Sequence, residues 1–272
     1  MNGANIGFIG AGNMANSLIR GLLAKGTSPA LITAADVDAS KLATLQQECD
    51  IAAATVEQIA STADVIVLAV KPQVMATVCR SLDTGKRSPL FVSIAAGITI
   101  DHLQSWLGSV AAIVRCMPNT PALVGKGASG LFANPTVSAE QRQLAERLMA
   151  TVGLACWVES ESDIDTVTAV SGSGPAYFFL FMEAMQDAAR EMGLSDELAR
   201  SLTYQTAAGA AELAMQSEDD TAELRRKVTS PGGTTEQAIA TLESGGIREL
   251  VANALQAARS RSIELADEFG DD

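Results

Sequence analysis

Two glycine-rich segments hold the chemistry open to this chain. Near its start, Ile6-Gly7-Phe8-Ile9 runs into Gly10-Ala11-Gly12-Asn13-Met14-Ala15, followed by a helical stretch, Asn16 to Ala24. Strand, tight turn and helix N-terminus come in the order that a dinucleotide site requires. Gly10 permits the sharp turn, Gly12 lets a pyrophosphate approach the backbone, and the small Ala15 lets the helix pack close to the strand. Helix N–H groups and the helix dipole then favour a phosphate at that spot. Asp36 ends the next apolar run about 20 residues on, where a ribose contact is expected. A glycine turn alone is a weak signal; the flanking strand, helix and acid make it a cofactor site.

The second segment is Thr229-Ser230-Pro231-Gly232-Gly233-Thr234-Thr235, which opens a helix continuing through Glu236 to Glu243. Gly232 and Gly233 allow several N–H groups to point at one spot, and Ser230, Thr234 and Thr235 add hydroxyls. With the helix dipole this makes a pocket for a carboxylate that needs no Lys or Arg. The plainer alternative is a capped helix start with a flexible loop. Ser171-Gly172-Ser173-Gly174-Pro175-Ala176-Tyr177 opens another helix, with Pro175 in its first turn. Three loops follow strands at their carboxyl ends, the edge where open α/β sheets bind ligands: Ala69-Val70-Lys71-Pro72, Ile94-Ala95-Ala96-Gly97 and Met117-Pro118-Asn119-Thr120-Pro121. The two prolines around Asn119 and Thr120 fix the backbone, as orienting a nicotinamide ring would require.

The exclusions are as informative. The one histidine, His102, lies in a polar-apolar helical stretch and reads as a surface residue, so there is no Ser-His-Asp or Cys-His set. No HExxH or clustered carboxylate pattern suggests a metal. Cys49, Cys79, Cys116 and Cys156 form no CxxC pair and read as cytosolic thiols. A net charge of -13 argues against a nucleic-acid partner. It also means that an anionic ligand must be held by local groups. There is no signal-peptide pattern, and apolar runs such as Val65 to Val70 are too short for a bilayer, so a cytoplasmic protein is expected. Hydride transfer to an electrophilic substrate needs no strong base; it needs two rings held face to face.

Strands are expected at Ile6–Ile9, Leu31–Ala35, Ala52–Ala54, Val65–Val70, Leu90–Ile94 and Ala112–Cys116, mostly with helices between them. Continuous apolar strands separated by helices predict a doubly wound, Rossmann-type parallel α/β sheet. Short strands near Ala128–Phe132 and Ala155–Val158 flank a helix from about Ser138 to Val152. From about Asp163 the pattern is helical only, giving two domains, residues 1–160 for the dinucleotide and residues 161–272 for substrate binding and dimerisation. In the second, Pro175 to Met192 is apolar on nearly every face, Leu198 to Met215 is Ala-rich, and Ile247 to Leu265 carries a clean apolar stripe. A bundle of about 110 residues would struggle to cover that surface alone, so another subunit is expected against it, the alternative being a compact monomeric bundle. The acidic end, Asp267 to Asp272, reads as a frayed tail.

Taken together, IGFIGAGNMA, AVKPQ, VSIAAGIT, RCMPNTPALV, SGSGPAY and LRRKVTSPGGTTEQAIATLE, in this order from Ile6 to about Leu265, resemble the pyrroline-5-carboxylate reductase family. The resemblance implies reduction of 1-pyrroline-5-carboxylate, a cyclic imino acid, to L-proline with NADPH or NADH, the last step of proline biosynthesis. It implies an N-terminal Rossmann domain and a helical C-terminal domain forming an interlocked homodimer, with dimers assembling further into a decamer. The active site would lie between the Rossmann domain and the helical dimer. The cofactor candidates are Gly10, Ala11, Gly12, Asn13 and Met14 in the turn, and Asp36 after the second strand. In the later loops they are Ala69, Val70, Lys71 and Pro72, then Ala95, Ala96, Gly97 and Asn119. The substrate carboxylate would be held by Ser230, Gly232, Gly233, Thr234 and Thr235, with the Thr235 hydroxyl, the catalytic candidate, facing the ring nitrogen.

One departure bears on cofactor choice. Many NADPH-using members carry Ser, Thr or Arg after the second strand, where this chain has Ala34-Ala35-Asp36-Val37-Asp38. Two carboxylates near the ribose would favour a free 2′-hydroxyl; alternatively both point to solvent, with Lys41 offsetting them. Ala52 stands where Asn often lies near the ribose. Two rival readings remain. A β-hydroxyacid dehydrogenase would want a lysine acid/base on the first long C-terminal helix, and no lysine lies between Asp163 and Asp187. A non-catalytic NAD(P)-sensing module gives no reason for the SPGGTT loop.

Overall fold

The computed structural model describes residues 3–270. Eight strands form one sheet in the order β3-β2-β1-β4-β5-β6-β7-β8. They are β1 (Ile6–Ile9), β2 (Ile32–Ala35), β3 (Ala52–Ala53), β4 (Val65–Leu68), β5 (Leu90–Ser93), β6 (Ala112–Met117), β7 (Gly127–Ala133) and β8 (Gly153–Trp157). All neighbours are parallel except β6 and β7, so the doubly wound reading holds. The chain builds β1 to β3 in one direction and β4 to β6 in the other. The order therefore reverses between β1 and β4.

Helices α1 (Asn13–Ala24), α2 (Ala39–Cys49), α3 (Val56–Thr62), α4 (Pro72–Ser81), α5 (Ile100–Leu107), α6 (Ala139–Met149) and α7 (Asp163–Val167) accompany the sheet. Every residue of β1 and β4 is buried, as strands covered on both faces must be. Alternate residues feed two cores. Ile6, Phe8, Val65 and Val67 pack with Leu18, Ile19 and Leu22 of α1. Ile9, Ile66 and Leu68 pack with Ile59 of α3 and Met75 of α4.

Several apolar runs outlast their strands. Ala69 and Val70 leave β4 for the loop before α4, whose N-cap Lys71 is extended ahead of Pro72, as the residue before a proline is biased to be. Leu31 falls in a 3-10 turn, Pro29–Leu31, and α1 begins at Asn13 rather than Asn16.

The described chain divides into two compact units. The first takes in the residues up to Ser173 and those from Ala257 onward; the second is Gly174–Gln256. The second unit contains α8 (Gly174–Glu191), α9 (Asp196–Gln216), α10 (Thr221–Lys227), α11 (Thr234–Ser244) and the start of α12 (Ile247–Gly270). Its apolar side chains are poorly covered by this chain: Phe178, Leu180 and Leu250 are 67%, 66% and 65% exposed. The end of α12 returns to the first unit, where Phe269 joins the core beneath β5 and α5. The acidic end, expected to fray, is helical as far as Gly270; Asp271 and Asp272 lie outside the described residues.

Two buried polar clusters hold the first unit's loops. Asn119, 9% exposed, accepts the Ala128 N–H at 2.9 Å and donates through Nδ2 to the Ser171 carbonyl at 3.0 Å. Ser171 needs that donor because Pro175, four residues on, has no N–H to offer. A π-helical stretch, Thr168–Gly172, separates α7 from α8 and is closed by the Ser173 N–H on Thr168 O at 2.8 Å. In the second cluster Arg115, 3% exposed, meets Glu161 at 2.9 Å and Asp165 at 3.8 Å. Glu161 also accepts the Ile100 N–H at 2.7 Å, and Asp165 accepts the Ser262 hydroxyl of α12 at 2.8 Å.

His102 is half-buried rather than a plain surface residue. It forms a capping box with Thr99 at the start of α5, its Nδ1 accepting the Thr99 N–H at 3.4 Å, and it stacks on Trp106. Burial, and then the Arg115 charge, hold its pKa below the ordinary value.

Two outcomes are expected. Asn119→Ala leaves two buried backbone groups unpaired and costs about 1–3 kcal/mol for each; urea unfolding of the variant measures the sum. The lowered His102 pKa gives stability that is full above the unfolded value of about 6.5 and is lost as the pH falls below it. His102→Gln keeps an acceptor but does not titrate, so the wild type should lose ground to it as the pH drops from about 7 to 5. A constant difference in unfolding free energy across that range would contradict the assignment.

Candidate active site

The first glycine segment is a turn laced to both neighbouring strands. Gly10 donates its N–H to Ala35 O at 2.8 Å, and the Ala69 N–H reaches Ile9 O at 2.8 Å. Gly10 has φ +105°, and a Cβ there would stand 2.5 Å from the Ala69 carbonyl oxygen. Only glycine fits, on conformation and on space. Gly12 is the N-cap of α1, and a Cβ there would meet nothing within 4 Å. No side chain caps α1. Open space therefore faces a helix start whose first N–H groups have no intrahelical acceptor. This fits a pyrophosphate, and it lies at the carboxyl end of β1, where the strand order reverses. Ala15 is fully buried, as close packing of α1 on the sheet requires.

Asp36 and Asp38 differ in what they hold. Asp36 is half-buried and points at the turn, its Oδ2 accepting the Ala11 N–H at 2.6 Å and its Oδ1 the Asp38 N–H at 2.8 Å. The reading in which both acids face solvent is thereby set aside for Asp36. Asp38 is the N-cap of α2: its Oδ1 accepts the Ser40 N–H at 3.0 Å and the Lys41 N–H at 3.3 Å, and its Oδ2 lies 3.6 Å from Lys41 Nζ. The Ser40 hydroxyl, followed by the Lys41 amide, lowers its pKa.

The loops after β4 and β5 reach the same edge of the sheet. Lys71 is exposed and begins α4, with Pro72 at N1 and no side-chain cap. Ala69, Val70 and Ala96 are half-buried, and Ala95 is buried. Two of the candidates have internal duties. Gly97 has φ +74°, and a Cβ there would lie 3.0 Å from the Phe269 ring, so glycine serves the packing of α12. Asn119 uses both ends of its side-chain amide inside the fold, leaving its backbone to set the loop.

In the second unit, Gly233 is the N-cap of α11, again with no side-chain cap. The N–H groups of the two glycines are already engaged. Gly232 donates to Glu236 at 2.7 Å, and Gly233 to Ser230 O at 3.0 Å. The donors left for an anion are those of the first helical residues, Thr234 and Thr235, and the glycines shape the bend. Gly232 sits at φ +71°, and a Cβ on Gly233 would be 3.0 Å from Ser230 O. Ser230, Gly232 and Thr234 are exposed, and Thr235 is half-exposed.

Other chemistry is scarce. Among the described residues no group of three or more His, Cys, Asp or Glu could hold a metal ion. Cys49, Cys79 and Cys116 are buried free thiols, and desolvation pushes the Cys79 pKa up to about 12. A hollow of about 340 Å³ along β7, β8 and α7 is lined by none of the candidate site residues. No helix of the described residues is long and apolar enough to cross a membrane. Periodicity had no means of finding Arg115, Glu161 and Asp165; a lone arginine in an apolar strand was the only signal.

Known proteins resemble this chain over nearly its whole length. The family described as pyrroline-5-carboxylate reductase dimerisation matches residues 161–265, and the one described as NADP oxidoreductase coenzyme F420-dependent matches residues 5–97. The pyrroline-5-carboxylate reductase of Pseudomonas aeruginosa is 54% identical, over 99% of this chain and 100% of its own length. The solved structure of a pyrroline-5-carboxylate reductase from Coxiella burnetii superposes with a TM-score of 0.94 at 48% identity, covering 97% of this chain and 99% of that one. The Plasmodium falciparum pyrroline carboxylate reductase, solved with NADP bound, gives 0.86 at 31% identity, covering 98% and 99%. The chain belongs to the pyrroline-5-carboxylate reductase family.

Proposed function

We propose that this protein reduces 1-pyrroline-5-carboxylate to L-proline with NADPH or NADH, the closing step of proline biosynthesis, in the cytoplasm. One observation carries the reading: α1 and α11 both start at a glycine N-cap with no side-chain cap. Each offers main-chain donors to an anion. Family membership supplies the two anions, the pyrophosphate of the cofactor and the carboxylate of the imino acid.

The residues then divide as follows. Residues 1–160 hold the cofactor and residues 161–272 hold the substrate and the partner subunit. The α1 start, from Gly12 to Met14, binds the pyrophosphate. Val70, Lys71 and Ala96, at the ends of β4 and β5, flank the nicotinamide half. When bound, the reduced nicotinamide supplies the hydride. The amides of Thr234 and Thr235 hold the substrate carboxylate, with the Ser230 hydroxyl beside them. This neutralises the carboxylate without a cation and fixes the flat ring. The Thr235 hydroxyl hydrogen-bonds at the ring nitrogen, orienting C5 toward the hydride. A protonated imine is electrophilic already, so orientation is the protein's main task.

The working unit is a homodimer in this reading, with dimers assembling into a higher oligomer such as a decamer. The exposed apolar side chains of α8, α9 and α12, Phe179, Leu202 and Val251 among them, support a partner subunit over the helical unit.

A reductase assay with pyrroline-5-carboxylate and both cofactors tests the function; absence of turnover with either ends it. Thr235→Ala should lower kcat/KM by about 10- to 100-fold, the range for a lost hydrogen bond to a charged group, with cofactor binding unchanged. Gly12→Ala puts a methyl into the open space at α1. It should weaken NADH and NADPH binding by about tenfold or more while lowering the melting temperature by only a few degrees, the cost of Ala as a poorer N-cap than Gly. Gly10→Ala, in contrast, should destabilise the fold itself. Equal cofactor affinity in Gly12→Ala and wild type, measured by fluorescence titration, would place the pyrophosphate elsewhere.

A further inference from the structure

The corner between β2 and α2 carries a carboxylate that is held in place. Asp36 accepts the Ala11 N–H at 2.6 Å on one oxygen and the Asp38 N–H at 2.8 Å on the other. A carboxylate tied at both oxygens keeps its charge where it is. It retains lone pairs for further donors, since its two oxygens offer about four acceptor sites. It stands at the carboxyl end of the strand next to β1, the position that meets the adenosine ribose in a Rossmann-type site.

No cation among the described ion pairs is held at Asp36 for a phosphate to use. None of the ion pairs among the described residues involves Asp36. The closest cation along the sequence, Lys41, pairs with Asp38, which is committed to capping α2. Ala52, at the start of β3, is exposed and has no polar group. Ribose hydroxyls are donors and match a fixed carboxylate. A 2′-phosphate offers acceptors and negative charge only.

We infer that Asp36 makes this protein select NADH over NADPH, by accepting hydrogen bonds from the free ribose hydroxyls and repelling a 2′-phosphate. The inference rests on the cofactor site proposed above and is independent of the substrate.

The test is a set of dissociation constants for NADH and NADPH, by titration calorimetry or nicotinamide fluorescence, at low and high salt. ADP-ribose and its 2′-phosphate serve as fragment probes. For the wild type, NADPH should bind about tenfold or more weakly than NADH. The gap should narrow as salt is raised, because like-charge repulsion at an accessible site is screened. The fragments should show the same ratio. Asp36→Ser and Asp36→Asn should weaken NADH and close or reverse the ratio, whereas Asp38→Asn should leave it near the wild-type value. Wild-type protein that binds NADPH as tightly as NADH overturns the inference, with or without a folded variant. So does a ratio that survives Asp36→Asn or collapses in Asp38→Asn. Protein that binds neither cofactor removes the cofactor site as well. Protein that binds NADH selectively but turns over no pyrroline-5-carboxylate removes only the proposed reaction.

Discussion

The uncapped starts of α1 and α11 are the feature on which the proposed chemistry of this protein depends. A chain of net charge -13 cannot gather anions with its overall field. Main-chain N–H groups at a helix start provide positive potential with no ionisable group at all. Six helices here use a side chain for that purpose: Asp38, Thr55, Thr99, Ser138, Ser195 and Asp220 all cap their helices. Gly12 and Gly233 do not. A glycine N-cap holds the backbone in the capping conformation and leaves the donors for a ligand.

Such donors are useful only where the backbone is stiff, and the surrounding contacts make it so. The Gly10 turn is bonded to the ends of β2 and β4 and packed against the Ala69 carbonyl. The Asp36 carboxylate, just after β2, ties the next amide, that of Ala11. Further along the sheet, Asn119 and Arg115 each join segments far apart in sequence through part-buried hydrogen bonds. Such bonds are strong in a low-dielectric interior and expensive to leave half made. Removing a single partner therefore disturbs a loop, not merely one contact. Deletion of Arg115 in particular would leave Glu161 and Asp165 without their cation, with only the Ile100 amide and the Ser262 hydroxyl as partners among the described residues.

The second unit shows the opposite economy. Its helices bury little of their apolar surface within this chain, and large side chains on α8 and α12 stay largely exposed. Exposed apolar faces of this extent are a mark of association. The match of residues 161–265 to a dimerisation family agrees with that physical reading. The same surface explains why hydropathy alone made the helical half look too apolar to stand by itself.

The parts legible in the sequence were those whose physics is local. Gly10 could be placed because a strand-to-helix turn forces a positive φ. The strands could be placed because burial on two faces demands unbroken apolar runs, and the Ser230–Thr235 bend because a proline and two glycines ahead of a helical stretch mark a turn into a helix start. Contacts made across the fold were not legible. That Asp36 ties the Ala11 amide, 25 residues away, depends on β1 lying beside β2. That Asn119 turns inward depends on Pro175 having no N–H and on Ser171 coming within 3.0 Å of Nδ2. That His102 is a half-buried cap depends on α5 packing near Arg115. Nor could the sequence tell that Glu236 and Ser230 O would claim the glycine N–H groups and leave those of Thr234 and Thr235. Local conformational preference chose the elements and the chemical groups. The tertiary structure decided which atoms those groups meet, because a hydrogen bond goes to whichever partner the packed chain brings within 3 Å, and sequence spacing alone does not determine that.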